Sequence, residues 1–333
     1  MMKVVLDAMG SDTHPGPEVQ AAIDAVELWG DPIILTGPKE ELEKRIHALG
    51  GDHDKIEIVH APEVLTMTDK PAETARRSAA NSMAVGIDLV KNGDADAFVT
   101  AGNTGGAMAT ALFRLGRIRG VKRPGLAPTL PVMGGQVVMI DLGANTDCKP
   151  EYLVQFAVMG SVYAERVFNK SRPRIALLSN GEEPGKGNEL VKETFPLLEK
   201  TDLNFIGNVE PKDVYAGDAD VVVSDGFVGN IYLKTSEAIA KFLVDMIRTE
   251  IKASPITSLG GLIAKPAFKK VGKLLDPAEY GGVPLLGVNG VVYIGHGRSE
   301  SYALLNAIRA ARTAIEGGIL EATQEAIKSR FIS

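Results

Sequence analysis

The segment Ala219-Asp-Val-Val-Val-Ser-Asp-Gly-Phe-Val-Gly-Asn230 is a β-branched run that stops in a polar, glycine-bearing turn and passes into a helix-capable stretch. The same build recurs at Asp96-Ala-Phe-Val-Thr-Ala-Gly-Asn103 and at Val138-Met-Ile-Asp-Leu-Gly-Ala-Asn145. Short apolar strands that hand over to helices are the repeating unit of a parallel sheet, whose strands need crossover connections. In such sheets ligands sit beyond the carboxyl ends of the strands, where helix N-termini offer unpaired N–H groups to anions. Three matching turns point to one shared anion site.

Ten runs read as strands, from residues 3–7 to 291–295, and eight as helices, among them 16–29, 71–92, 150–168, 230–253 and 299–329. Their alternation predicts an α/β fold, a three-layer α/β/α doubly wound and mostly parallel sheet formed by residues 1–333 as a single domain. Aromatic residues are only 5% of a chain that is 45% hydrophobic, so the core must be aliphatic, as parallel strands require. A net charge of −6 argues against a nucleic-acid surface covering the whole protein. Cys148 is the single cysteine, which excludes an intrachain disulfide and a cysteine-based metal cluster and fits a reducing cytoplasm. The first residues are too weakly apolar for a signal peptide, and no run approaches a membrane span, so membrane contact is expected to be peripheral.

One stretch departs from this composition. Between Lys241 and Lys273 seven Lys/Arg face two acids, with Leu259, Leu262, Ile263 and Phe268 interleaved among Lys265, Lys269 and Lys270. A helical hairpin over 236–280 is expected, broken by Pro255, Gly260, Gly261 and Pro266. It reads either as a hairpin on its own core with a solvated basic face, or as a tip for an acidic partner or an anionic lipid surface.

The loop Ser179-Asn-Gly-Glu-Glu-Pro-Gly-Lys186-Gly-Asn188 lacks Walker spacing, because Gly181 and Gly185 enclose three residues and Gly187 follows the lysine. Lys186 remains a candidate single-phosphate ligand or a plain turn lysine. The first strand ends Asp7-Ala-Met-Gly10 rather than in a dinucleotide fingerprint. Asp7 is placed to cap the next helix, to take a proton or to ligate Mg²⁺. No Gly-x-Ser-x-Gly elbow and no His-Glu-x-x-His zinc motif is present; His47 and His53 read as surface residues. His296 follows a strand and precedes a helix, so it either lines the site or orders its turn. Asn103, Asn145 and Asn230 each read as helix caps, and together as amide donors to phosphate or to an oxyanion.

These segments, with Asp7-Ala-Met-Gly10, Ala101-Gly-Asn-Thr-Gly105, Arg123-Pro124, Asp141-Leu-Gly-Ala-Asn145, Gly187-Asn-Glu189, Asp225-Gly-Phe227, Gly229-Asn230, Tyr280-Gly-Gly282 and His296-Gly297, resemble in order the PlsX family of phosphate acyltransferases. The resemblance runs from the first strand to about Arg312. It implies transfer of an acyl group from acyl-[acyl-carrier-protein] to inorganic phosphate, giving acyl-phosphate for a downstream glycerol-3-phosphate acyltransferase of phospholipid synthesis. It also implies a homodimer, no cofactor, and a fold related to phosphotransacetylases and isocitrate-dehydrogenase-like enzymes. The hairpin tip at 254–273 would meet the membrane. Lys186 and Asn230 match positions implicated in catalysis; Asp225 is expected to orient Lys186 or His296, and Asp7, Gly10, Asn103, Thr104, Gly105, Asn145, Asn188 and Gly229 to line the phosphate site. Ser11, Gly106 and Arg298 depart from the family pattern, which bears on phosphate contacts and acyl preference.

Inorganic phosphate is largely dianionic near neutral pH and a thiolate leaves readily, so phosphate attacking the thioester directly needs no protein nucleophile. The carrier is an acidic partner, for which the basic hairpin is the expected dock. Rival readings are a phosphate acetyl- or butyryltransferase using coenzyme A thioesters, a nicotinamide- or Mg²⁺-dependent dehydrogenase, and a non-catalytic lipid- or carrier-binding module.

Overall fold

A computed structural model describes residues 1–51, 54–65 and 80–332; His53 and the first part of the helix expected over 71–92 lie outside them. The strands divide between two sheets rather than sharing one. The first has the order β3 (Ile56–His60), β2 (Ile33–Gly37), β1 (Val4–Asp7), β4 (Ala97–Thr100), β12 (Val291–Ile294), β11 (Val283–Leu286), β5 (Gly125–Leu126). The second runs β6 (Thr129–Val132), β7 (Gly135–Ile140), β10 (Val221–Val223), β8 (Ile175–Leu178), β9 (Phe205–Val209). Each is parallel except at one edge, where β11 in the first runs antiparallel to both β12 and β5, and β6 in the second runs antiparallel to β7.

The chain first passes from one sheet to the other at a single dipeptide, and it returns through the helices between β10 and β11. Ala127 donates its N–H to Pro284 O in the first sheet, and Pro128 O accepts the N–H of Met139 in the second. Pro128 has no N–H of its own to lose at that step. The sequence showed neither β5 nor β11, because two- and four-residue strands carry too little alternation to register.

Period-2 alternation explains how each sheet is covered on both faces. Val4, Leu6, Ile33 and Val99 enter one core with α1 (Gly16–Trp29) and α10 (Ser301–Glu316). Val5, Ile34 and Phe98 enter another, with Met83 and Ile87 of α3 (Ser82–Asn92) and Ala107 of α4 (Thr104–Arg114). The second sheet sends Val138, Ile140, Leu177 and Val223 into the first of these cores. Between the sheets lies α5 (Pro150–Phe168), buried without interruption from Leu153 to Ala164, as a helix apolar on all sides must be. The remaining helices of the body are α2 (Lys39–Leu49), α6 (Glu189–Leu198), α7 (Pro211–Ala216) and α11 (Ile319–Phe331). The helix expected over 299–329 is two, because Gly317 would place a Cβ 2.7 Å from Arg166 O and Gly318 has φ +62°.

Helices α8 (Gly226–Ile251) and α9 (Pro255–Leu275) form a hairpin. Only Gly226 and Gly229 of α8 are buried, and no residue of α9 is. Ser254 opens α9 with a capping box to Thr257, and a Cβ at Gly261 would stand 2.4 Å from Ile251 Cγ2, so the helices close tightly at the turn. Ile256, Leu262 and Ile263 are 84%, 65% and 75% exposed at the tip. Among the described residues no helix is long and apolar enough to cross a membrane.

Gly86 of α3 packs where a Cβ would lie 2.5 Å from the ring of Phe98, which is fully buried. Gly86→Ala is expected to lower unfolding free energy by about 1–3 kcal/mol, as overpacking does, read from the chemical-denaturation midpoint.

Candidate active site

Adjacent parallel strands place their carboxyl-end turns side by side, which sorts the polar turns into two sets. In the first sheet β1, β4 and β12 are neighbours, so residues 7–12, 100–105 and 295–299 meet. Asp12 N–H donates to Gly297 O and Gly295 N–H to Thr100 O, each at 2.7 Å. Gly10 fits only as glycine, since its Cβ would come within 2.8 Å of Gly102 N and 2.9 Å of Ala101 N. Asp7 does not cap α1, whose N-terminus has no side-chain cap. It is fully buried and accepts from the Thr100 hydroxyl at 2.7 Å and the Met9 N–H at 3.2 Å. Burial raises its pKa, partly offset by hydrogen bonds from Ser82 and Thr100. Asn103 does cap α4, accepting the Gly106 N–H at 2.9 Å, so the N–H groups of Thr104 and Gly105 open the helix with no intrahelical carbonyl to meet.

In the second sheet β7, β10 and β8 are neighbours, gathering residues 141–145, 224–230 and 179–188. Asp141, unexposed, organises this set. Its carboxylate accepts from Leu126 N–H (2.9 Å), Ala144 N–H (3.1 Å), Asn145 N–H (2.7 Å) and the Asn145 side-chain amide (2.8 Å). Burial raises its pKa to about 6 against these bonds. Asn145 does not precede a helix: α5 begins five residues later, and the Asn145 amide donates to Asp141 and to Pro124 O. Its N–H groups therefore hold the turn together.

Asn230 does not open its helix either. That cap is Asp225, which accepts the N–H groups of Phe227 and Val228 at 2.9 Å and so holds α8 rather than Lys186 or His296. Asn230 lies in the second turn, with its side chain against Gly143. Gly229 is required there, because a Cβ would be 2.2 Å from Asp141 O. Lys186 projects from an exposed loop, held by Lys186 N–H to Glu183 O and Gly187 N–H to Asn180 Oδ1. Asn188 caps α6 through the Val191 N–H. Close to this loop, the buried Ser179 Oγ and Asn208 Oδ1 have no hydrogen-bond partner among the described residues.

The two sets are joined. Leu126 and Pro124 bind Asp141 and Asn145 across the sheet boundary, and α8 carries Lys234 and Glu237 to His296. Burial lowers the His296 pKa; Glu237 works against that, while Lys234 and Arg298 add to it. Cys148 Sγ lies 3.5 Å from Asn145 O, and burial, with Asp141 and Asp225 nearby, pushes its thiol up to about 12. The carboxylate cluster Glu182, Glu210 and Asp213 is spanned by Lys212 at 3.0, 2.8 and 3.9 Å and is an ion-pair network. Sequence reasoning placed neither Asp141 nor Thr100 in the site; a carboxylate and a hydroxyl at strand ends, each followed by Gly and Asn, were the available signal.

The sequence matches the family model for the fatty acid synthesis protein over residues 2–322. A phosphate acyltransferase of Dictyoglomus turgidum is 48% identical over 318 residues, covering 95% of this chain and 94% of that one. The chain belongs to the phosphate acyltransferase family. Among solved structures, a phosphotransacetylase from Streptococcus pyogenes aligns with TM-score 0.62 and 20% identity over 95% of this chain and 94% of its own. A 4-hydroxythreonine-4-phosphate dehydrogenase from Klebsiella pneumoniae aligns with TM-score 0.53 and 14% identity over 93% and 98%. This chain thus shares its fold with these enzymes, and by its family it is an acyltransferase.

With a folded pKa near 6 against an ordinary 3.8, Asp141 holds more proton in the folded than in the unfolded chain between those values. Its contribution to stability is greatest below about pH 4 and declines as pH rises through about 6. A carboxyl-carbon NMR titration of the Asp141 resonance is expected to give a midpoint near 6; a midpoint near 4 would contradict this burial.

Proposed function

We propose that the chain transfers a fatty acyl group from an acyl-[acyl-carrier-protein] thioester to inorganic phosphate, with phosphate itself as the nucleophile. What carries this reading is membership of the phosphate acyltransferase family together with the α4 N-terminus that Asn103 leaves open beside Asp7 and Thr100, and burial that pushes the Cys148 thiol up makes that side chain a poor nucleophile. Around it the turns offer hydrogen-bond donors and a lysine. Lys186, the open N–H groups of Thr104 and Gly105 and the amide of Asn230 hold phosphate against the thioester carbonyl.

Phosphate oxygen adds to the carbonyl carbon, the tetrahedral oxyanion collapses, the carbon–sulfur bond breaks, and the thiolate leaves to take a proton from water. Orientation of two bound reactants supplies the acceleration. Asp141 contributes by fixing the turn against which Asn230 packs. The exposed apolar tip of α8 and α9 suits a peripheral membrane surface, where the acyl-phosphate leaves for a glycerol-3-phosphate acyltransferase, and the uncovered faces of the same helices suit a homodimer.

The likeness to phosphotransacetylases supports a second reading, in which the donor is a coenzyme A thioester of a short acid. Purified protein given phosphate and either donor decides: free thiol and hydroxylamine-trapped acyl-phosphate should appear from the carrier thioester at the higher kcat/KM. Omitting phosphate should leave no acyl-protein adduct, and a stoichiometric adduct would sink direct attack. Lys186→Ala is expected to lower kcat/KM for phosphate at least tenfold, about 1.4 kcal/mol of transition-state binding. Leu262→Glu should reduce co-flotation with anionic liposomes; unchanged flotation removes the tip from membrane binding.

A further inference from the structure

Residues 97–140 contain no Asp or Glu, yet they carry Arg114, Arg117, Arg119, Lys122 and Arg123 within ten positions. In a chain of net charge −6 this is a concentrated basic segment. It forms an open groove after α4, lined by Phe113, Arg117, Arg119, Val121, Arg123 and Pro124. Arg114 is neutralised by Asp88. The other four cations are exposed and form no ion pair with the described residues: Arg117 donates to Lys122 O, Arg123 lies 6.0 Å from the ring centroid of Tyr152, and Arg119 and Lys122 extend into solvent. Four like charges held together without counter-charge are a standing electrostatic cost unless something acidic relieves it.

The groove is also wired to the reaction site. Its Pro124 O accepts the Asn145 amide at 2.8 Å, and two residues on Leu126 N–H reaches Asp141 at 2.9 Å. Gln155 of α5 fixes the loop from below, accepting the Lys122 N–H at 2.8 Å and donating to Gly120 O at 2.9 Å. The groove is therefore a rigid basic ledge bordering the Asp141–Asn145 turn. The hairpin lysines at 265, 269 and 270 sit on α9, which buries no residue against the body.

We propose that this groove, rather than the basic hairpin, is where the acidic carrier protein docks; the identity of the partner rests on the acyl-transfer reading above. Carboxylates of the carrier pair with Arg117, Arg119, Lys122 and Arg123, its apolar contact settles on the exposed Phe113, and the thioester arm passes over Pro124 to the turn. The hairpin is left for lipid and for the second copy of the chain.

The test uses full-length protein and the double variant Arg119→Glu/Lys122→Glu, whose side chains make no contact needed for the fold. Fluorescence anisotropy with labelled phosphopantetheinylated carrier protein reads docking without needing turnover. The groove variant should bind at least tenfold more weakly and lose the salt dependence of wild-type binding, while Lys269→Glu/Lys270→Glu binds like wild type. In kinetics the groove variant should raise KM for acyl-carrier with kcat, KM for phosphate, and turnover of the protein-free acyl-pantetheine thioester unchanged. Unchanged carrier binding in the groove variant, or loss confined to the hairpin variant, overturns the proposal, as does a wild type that binds no carrier. A wild type that binds carrier through the groove but releases no thiol with phosphate overturns the acyl-transfer reading instead.

Discussion

The buried carboxylate of Asp141 is the constraint on which the site depends. One side chain ends β7, receives the first sheet through Leu126 and closes its own turn through Ala144 and Asn145. Its backbone carbonyl lies so close to Gly229 that no side chain fits there, which brings α8 down onto the turn and sets Asn230 beside Gly143. Four N–H groups around one carboxylate offset the cost of withdrawing it from water, though its raised pKa shows that the offset is incomplete. The same carboxylate helps hold the neighbouring thiol protonated. A single buried carboxylate thus shapes the turn and seats the helix.

Two sheets meeting over a shared helical core make this arrangement possible. Strands β1, β4 and β12 deliver one set of turns and β7, β10 and β8 the other, and the Leu126–Asp141, Leu142–Leu126 and Pro124–Asn145 bonds cross the boundary between them. The buried span of α5 fills the space between the sheets, so their relative placement is a property of packing.

Much of this was legible in the residues. Val-rich runs ending in Gly and Asn announced parallel strands and their turns, and the cluster of lysines and leucines after Lys241 announced a hairpin. What the sequence concealed were consequences of long-range contact. Asn145 and Asn230 looked like helix caps because Asn commonly is one; Asp225 outcompetes Asn230 by lying at the strand end, and Asn145 is drawn into the Asp141 network before any helix starts. The division into two sheets rests on a dipeptide, Ala127-Pro128, whose backbone serves a different sheet at each residue, and no local pattern encodes that. The acid-free interval from 97 to 140 was visible throughout, but its meaning depends on where Pro124 lands.

The continuity of α8 has a geometric result. From Asn230 to Ile251 it is one uninterrupted helix, about 32 Å at 1.5 Å per residue. It acts as a rigid arm that holds the exposed tip at a fixed distance from the turn at Asn230. Because that arm buries only Gly226 and Gly229 against the body, a load on the tip reaches the Asp141 turn through the close contact at Gly229.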